Sequence, residues 1–207
     1  MSSAILIQRP EAPEHLILLF HGYGAAPDDL VPLGERLARE FPRALVASIA
    51  GTEPCEISSG RQWFSLKGIS DENRAARIAL ALRDFNGAIT LWQQQTGLGA
   101  TATTLVGFSQ GAMMALGSLC QPVPVAHRVA AIAGRFATLP ERLAAGLTVH
   151  LLHGADDSVV AAANSSQAFE RLHALGVPAT LDLFPDVGHG ITPEMADTLV
   201  ARLRGAG

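Results

Sequence analysis

The sequence predicts an α/β fold: a mainly parallel central sheet with helices on both faces. Three observations lead there. Short apolar runs alternate with helical-period segments from one end of the chain to the other. Runs such as His15 to Phe20 are continuously apolar rather than alternating, the signature of strands covered on both faces. Thr104-Leu105-Val106-Gly107-Phe108-Ser109-Gln110-Gly111 reads as a strand, a sharp turn and a helix start, with a serine flanked by glycines two positions away on each side.

Taken in order, Ala4 to Gln8 suits a short edge strand, and Pro10 and Pro13 mark a loop. His15 to Phe20 is a buried strand that ends in His21-Gly22-Tyr23-Gly24. Asp28 and Asp29 are candidate caps for a helix with an apolar stripe at Leu30, Leu33, Leu37 and Phe41, stopped by Pro42. Ala44 to Ser48 is the next strand. Gly51 to Gly68 has no period and carries Trp63 and Phe64. A structureless connection of that length either walls a site or is pinned to the core by its aromatics. Ser70 is placed to cap a long helix whose apolar residues Ile78, Leu82, Phe85, Ile89 and Trp92 recur at spacings of 4, 3, 4 and 3. Gly87 within it predicts a packing reason or a kink. After the glycine-flanked serine come strands at 129–133, 148–152 and 180–184. A helix from about Val160 to Leu175 and a C-terminal helix opened by Thr192 and Pro193 complete the pattern.

At 207 residues the chain reads as a single domain, 1–207. It is 48% hydrophobic, 16% charged and carries a net charge of −4 without a basic run. That composition argues against disorder, nucleic-acid binding and stable membrane anchoring. The N-terminus lacks a basic region followed by an apolar stretch, so no signal peptide is expected and a cytoplasmic location is. Cys55 and Cys120 are expected as buried thiols rather than a disulfide.

The glycine-flanked serine is the form of a nucleophile elbow, where side chains at Gly107 and Gly111 would collide as strand and helix approach. A serine hydroxyl needs a base, and His189, between Gly188 and Gly190 after the last strand, is the candidate. The orienting acid belongs after an earlier strand, where Asp156 and Asp157 are adjacent. Only one of them can face His189. Two backbone N–H groups are needed for a tetrahedral oxyanion. Gln110 follows the nucleophile, and Tyr23 lies in the loop after the His15–Phe20 strand. His21 reads as a structural hydrogen-bonding residue. The other histidines share no ligand spacing, so neither a metal nor a cofactor is expected.

Leu19-Phe20-His21-Gly22-Tyr23-Gly24, Arg61-Gln62-Trp63-Phe64, Gly107-Phe108-Ser109-Gln110-Gly111, His153-Gly154-Ala155-Asp156-Asp157-Ser158-Val159 and Gly188-His189 together resemble the phospholipase/carboxylesterase family of α/β-hydrolases. The resemblance implies the α/β-hydrolase fold with little or no lid. It also implies Ser109 as nucleophile, Asp157 as acid and His189 as base. Trp63, Phe64 and Phe136 become the expected substrate-binding residues. The implied activity is serine carboxylesterase chemistry on short- to medium-chain esters through an acyl-enzyme. An acyl-protein or acyl-thioester hydrolase is the first alternative, and a non-catalytic module of the same fold the second. The partner is then a small-molecule ester or thioester, and the resemblance is compatible with a homodimer.

Overall fold

The computed structural model describes residues 3–205; positions 1–2 and 206–207 of the expected domain lie outside them. In chain order the elements are β1 (Ala4–Gln8), β2 (His15–Phe20), a 3-10 turn (Pro27–Leu30), α1 (Val31–Glu40), β3 (Ala44–Ile49), β4 (Glu53–Pro54) and β5 (Arg61–Gln62). Then follow α2 (Asp71–Thr96), a 3-10 turn (Ala100–Ala102), β6 (Thr103–Phe108), α3 (Gln110–Leu119) and β7 (Arg128–Ile132). The chain closes with β8 (Thr148–Gly154), α4 (Ala163–Ala174), β9 (Ala179–Phe184) and α5 (Pro193–Arg204).

Seven strands form one sheet in the order β1-β3-β2-β6-β7-β8-β9. All neighbours are parallel except β1, which runs antiparallel to β3 at the edge. The continuous apolar runs fill the middle of this sheet because each face carries its own core. One face packs against Ile78, Leu82, Phe85 and Ile89 of α2, the apolar side of α3, and Ala168 and Leu172 of α4. The other packs against Leu33 and Leu37 of α1 and Met195, Leu199 and Leu203 of α5. Among the described residues no separate lid is inserted over the sheet.

Local details depart from expectation in five places. The 51–68 connection contains a small two-stranded ribbon, β4 paired with β5. Ser70 occupies the N-cap of α2 without donating or accepting a cap bond through its hydroxyl. Asn73 reaches back instead, its Oδ1 accepting from the Ser70 N–H at 2.9 Å. Asp29 does the same for Ala26 at 2.7 Å, so neither Asp28 nor Asp29 is itself the cap. Gly87 has open space where a Cβ would stand, and α2 runs through it unbroken, so it has no packing reason. Cys55 and Cys120 are free thiols, but Cys55 is half-buried and Cys120 exposed.

The parallel order places the C-terminal ends of β2, β6, β8 and β9 along one edge of the sheet, where ligands bind in such folds. The loops carrying Tyr23, Ser109, Asp157 and His189 all leave from that edge.

Candidate active site

Ser109 sits between β6 and α3 at φ 52° and ψ −115°, a positive φ that a non-glycine residue rarely holds. Its surroundings impose that angle. A Cβ on Gly107 would come within 2.5 Å of the Ala112 nitrogen, and one on Gly111 within 2.1 Å of the Phe20 carbonyl oxygen. The two glycines therefore let α3 start directly against β2 and β6. The Ser109 N–H is tied to Ile132 O of β7 at 2.9 Å, and the strained turn is held from both sides.

His189 leaves the loop after β9 and spans the gap. Its Nε2 lies 2.9 Å from Ser109 Oγ and its Nδ1 lies 2.7 Å from Asp157 Oδ2. A carboxylate can only accept, so Nδ1 carries the proton and Nε2 presents its lone pair to the serine hydroxyl. The imidazole also packs at 5.0 Å, centroid to centroid, on the Phe108 ring.

Asp157 is buried at the end of β8. Its Oδ1 accepts from the N–H groups of Val159 and Val160, both at 2.8 Å. Burial alone would push this carboxyl up. The hydrogen bonds from His189, Val160 and Val159 outweigh that, and its pKa lies below the ordinary value. Asp156 is exposed and, unlike Asp157, makes no hydrogen bond or ion pair to the histidine among the described residues. The choice between these neighbours, open in the sequence, is thus made by which side chain bonds His189.

A second histidine stands behind Asp157. His153 is fully buried, with Nε2 2.8 Å from Val160 O and 3.2 Å from Asp157 Oδ2. Two acceptors facing Nε2 require that nitrogen to carry the proton, and Nδ1 then accepts from Ser165 Oγ at 2.7 Å. In the sequence His153 shares no ligand spacing with the other histidines. The signal available was its place four residues before Asp157 on the same strand end.

The cleft above Ser109 has a volume of about 330 Å³ and is walled by Tyr23, Leu66, Arg74, Phe108, Gln110, Met113 and Val160, among others. Tyr23 and Gln110 both line it, and among the described residues neither main-chain N–H donates to a loop, cap or side-chain acceptor. Gln110 opens α3, where such N–H groups are free and the helix dipole is positive. Its side chain is locked: Oε1 accepts from Trp63 N at 2.8 Å, and Nε2 donates to Phe64 O at 2.7 Å.

That locking corrects the reading of the aromatic residues. Trp63, Phe64 and Phe136 are core residues, 1%, 3% and 6% exposed, and none of them lines the cleft. Trp63 packs edge-on against Phe20 and Phe85 at 5.5 and 5.2 Å, and its indole N–H donates to His21 O at 2.9 Å. These residues hold the Tyr23 loop and Gln110 from behind. His21 is equally structural. Gly51 N–H donates to its Nε2 at 2.9 Å, which leaves Nδ1–H to donate to Gly22 O at 2.7 Å. Burial keeps this imidazole neutral by lowering its pKa.

Among the described residues no group of three or more His, Cys, Asp or Glu side chains is placed to hold a metal ion. Among the same described residues no helix is long and apolar enough to cross a membrane. What the cleft brings together is an activated hydroxyl, an imidazole with its free lone pair toward it, a carboxylate behind, and two unengaged N–H groups at its rim. Such a set can take an acyl group onto the serine and pass it to water.

Comparison with known proteins points the same way. Residues 2–204 match the family model described as Phospholipase/Carboxylesterase. Over 187 residues the chain is 44% identical to Esterase YpfH of Escherichia coli (strain K12), covering 90% of this chain and 81% of that protein. Esterase PE8 superposes with a TM-score of 0.86 at 32% identity over 98% of both chains. The Bacillus cereus carboxylesterase superposes with a TM-score of 0.84 at 20% identity over 100% of this chain and 95% of that one, a likeness of fold.

Proposed function

The chain belongs to the phospholipase/carboxylesterase family of α/β-hydrolases, and from that membership we propose that it is a serine carboxylesterase acting through an acyl-enzyme. The observation that carries this reading is the continuous hydrogen-bonded line Ser109–His189–Asp157, with 2.9 and 2.7 Å links. In the proposed cycle Ser109 Oγ attacks the ester carbonyl carbon while His189 Nε2 takes the hydroxyl proton. Asp157 holds the imidazole in the productive tautomer and stabilises its cationic form. The carbonyl oxygen, now anionic, is received by the N–H groups of Gln110 and Tyr23. His189 returns its proton to the leaving alcohol. Water, deprotonated by the same nitrogen, then releases the acid and restores Ser109.

The 330 Å³ cleft and the absence of an inserted lid among the described residues favour short- to medium-chain acyl groups. A thioester can enter the same cycle, because its leaving thiol is a better leaving group than an alcohol. Assembly as a homodimer and a cytoplasmic location belong to the same proposal, and size-exclusion chromatography with light scattering reads the first. A fluorophosphonate probe is expected to label Ser109 in the folded protein, and 4-nitrophenyl butyrate is expected to be hydrolysed. A folded protein that does neither is not a serine esterase. Relative kcat/KM for butyryl ester and long-chain acyl thioester separates the carboxylesterase from the thioesterase reading.

A further inference from the structure

The cleft wall holds a positive charge that ester hydrolysis does not use. Arg74, in the first turn of α2, lines the same cleft as Ser109 and His189, and no Asp or Glu is among the residues that line it. Its side chain is only 18% exposed. Among the described residues the guanidinium makes no hydrogen bond, and Nε is sealed from solvent without a partner. Its ion pair is with Asp71 Oδ1 at 3.6 Å, too long for a hydrogen bond. Asp71 is 86% exposed and is shared with Arg135 at 3.4 Å. Two guanidinium groups facing one solvated carboxylate leave a net positive charge of one. Burial first, and then the neighbouring Arg135, lower the pKa of Arg74 against the opposing pull of Asp71.

Because Nε is sealed from solvent, the terminal Nη groups are the ones the cleft can use, and a carboxylate is the group that their planar edge fits in two parallel bonds. We propose that Arg74 receives a carboxylate carried by the substrate, so that the enzyme selects esters bearing a free carboxylate close to the scissile bond. This rests on the esterase reading of Ser109. Arg74 and Ser109 bound one small cavity, so the anionic group and the ester are separated by a few bonds. Leu66, Met113 and Val160 give that spacer an apolar lining. A neutral ester of equal size fills the same space and leaves the guanidinium unpaired, which is the discrimination a buried polar site provides.

The test compares monomethyl succinate with methyl pentanoate, followed by methanol release. Wild-type kcat/KM is expected to favour the anionic ester about 10-fold or more, with the preference eroded by added salt. In Arg74→Met the anionic-to-neutral ratio is expected to fall by about 10- to 100-fold, and Arg74→Lys to recover part of it. A wild-type ratio near one, or a ratio that Arg74→Met does not move, overturns the proposal. Calorimetric titration of the wild-type protein with succinamate and with the neutral succinamide keeps the test independent of whether the variants fold: tighter succinamate binding is expected, and equal binding overturns it. Fluorophosphonate labelling of Ser109 separates the two readings. Labelling without a succinate preference defeats the carboxylate site alone, whereas a folded protein that resists labelling defeats the esterase reading beneath it.

Discussion

β8 carries two buried histidines three residues apart, and they are treated differently. His153, at the C-terminal end, uses both ring nitrogens: one toward Ser165, the other toward Val160 O and Asp157. His150, in mid-strand, has one link, Nδ1 to Thr180 Oγ1 at 3.0 Å, and leaves Nε2 buried without a partner. An odd separation along a strand sends the two rings to opposite faces. One face leads into the saturated network around Asp157. The other leads to a site where burial, then Arg128 and Arg202, push the imidazole pKa down to about 4. On this strand the histidine with both nitrogens engaged is the one that touches Asp157, and the half-satisfied one lies on the face away from it.

The comparison breaks most severely at the far end of that line. Ser109→Ala is expected to lower kcat by about 10⁴-fold or more, read with 4-nitrophenyl butyrate. Asp157→Asn follows, with about a 10⁴-fold loss because the amide favours the wrong histidine tautomer. Asp156→Asn, exposed and unbonded to His189, is expected to stay within about twofold. Equal losses in the two variants would mean that the geometry at Asp157 is not what orients His189.

His153→Phe is expected to lower kcat about 10- to 100-fold with little change in KM, since it lets Asp157 shift rather than removing it. His153→Gln, which keeps a donor, should restore part of the rate. A variant that loses stability but keeps its kcat would reduce His153 to a packing residue.

His150 supplies the contrast and the smallest effect on rate, expected within about twofold for His150→Gln. Its effect is on stability against pH. Unfolded histidine takes up a proton near pH 6.5, whereas folded His150 resists until about 4. Between those values the unfolded state binds more protons, so stability is full above about 6.5 and falls as pH drops toward 4. Thermal melts from pH 7 to 4.5 should show the decline in wild type and a shallower one in His150→Gln. Identical slopes would mean that the ring is not the group that titrates. The asymmetry extends to glycine. Gly111→Ala, with a Cβ 2.1 Å from Phe20 O, should destabilise by about 1–3 kcal/mol. Gly87→Ala, in open space on α2, should stabilise by about 0.5–1 kcal/mol.

Much of the site was legible before any coordinates. The order of strands and helices, the glycines around Ser109, and the placement of His189 and the Asp156–Asp157 pair after strand ends all follow from patterns a few residues long. Periodicity, turn chemistry and steric demand act locally, so the sequence by itself determined the architecture and the short list of reacting groups. Tertiary structure alone decided which side chains face the cleft. Trp63 and Phe64 look like walls in the sequence and stand behind one. Arg74 looks like one more charge on a helix and stands inside. His153 looks like an unassigned histidine and touches the acid. Each outcome depends on the angle at which segments distant in the chain pack together, and on the few ångströms by which a rotation about one helix axis turns a side chain from solvent into a cavity.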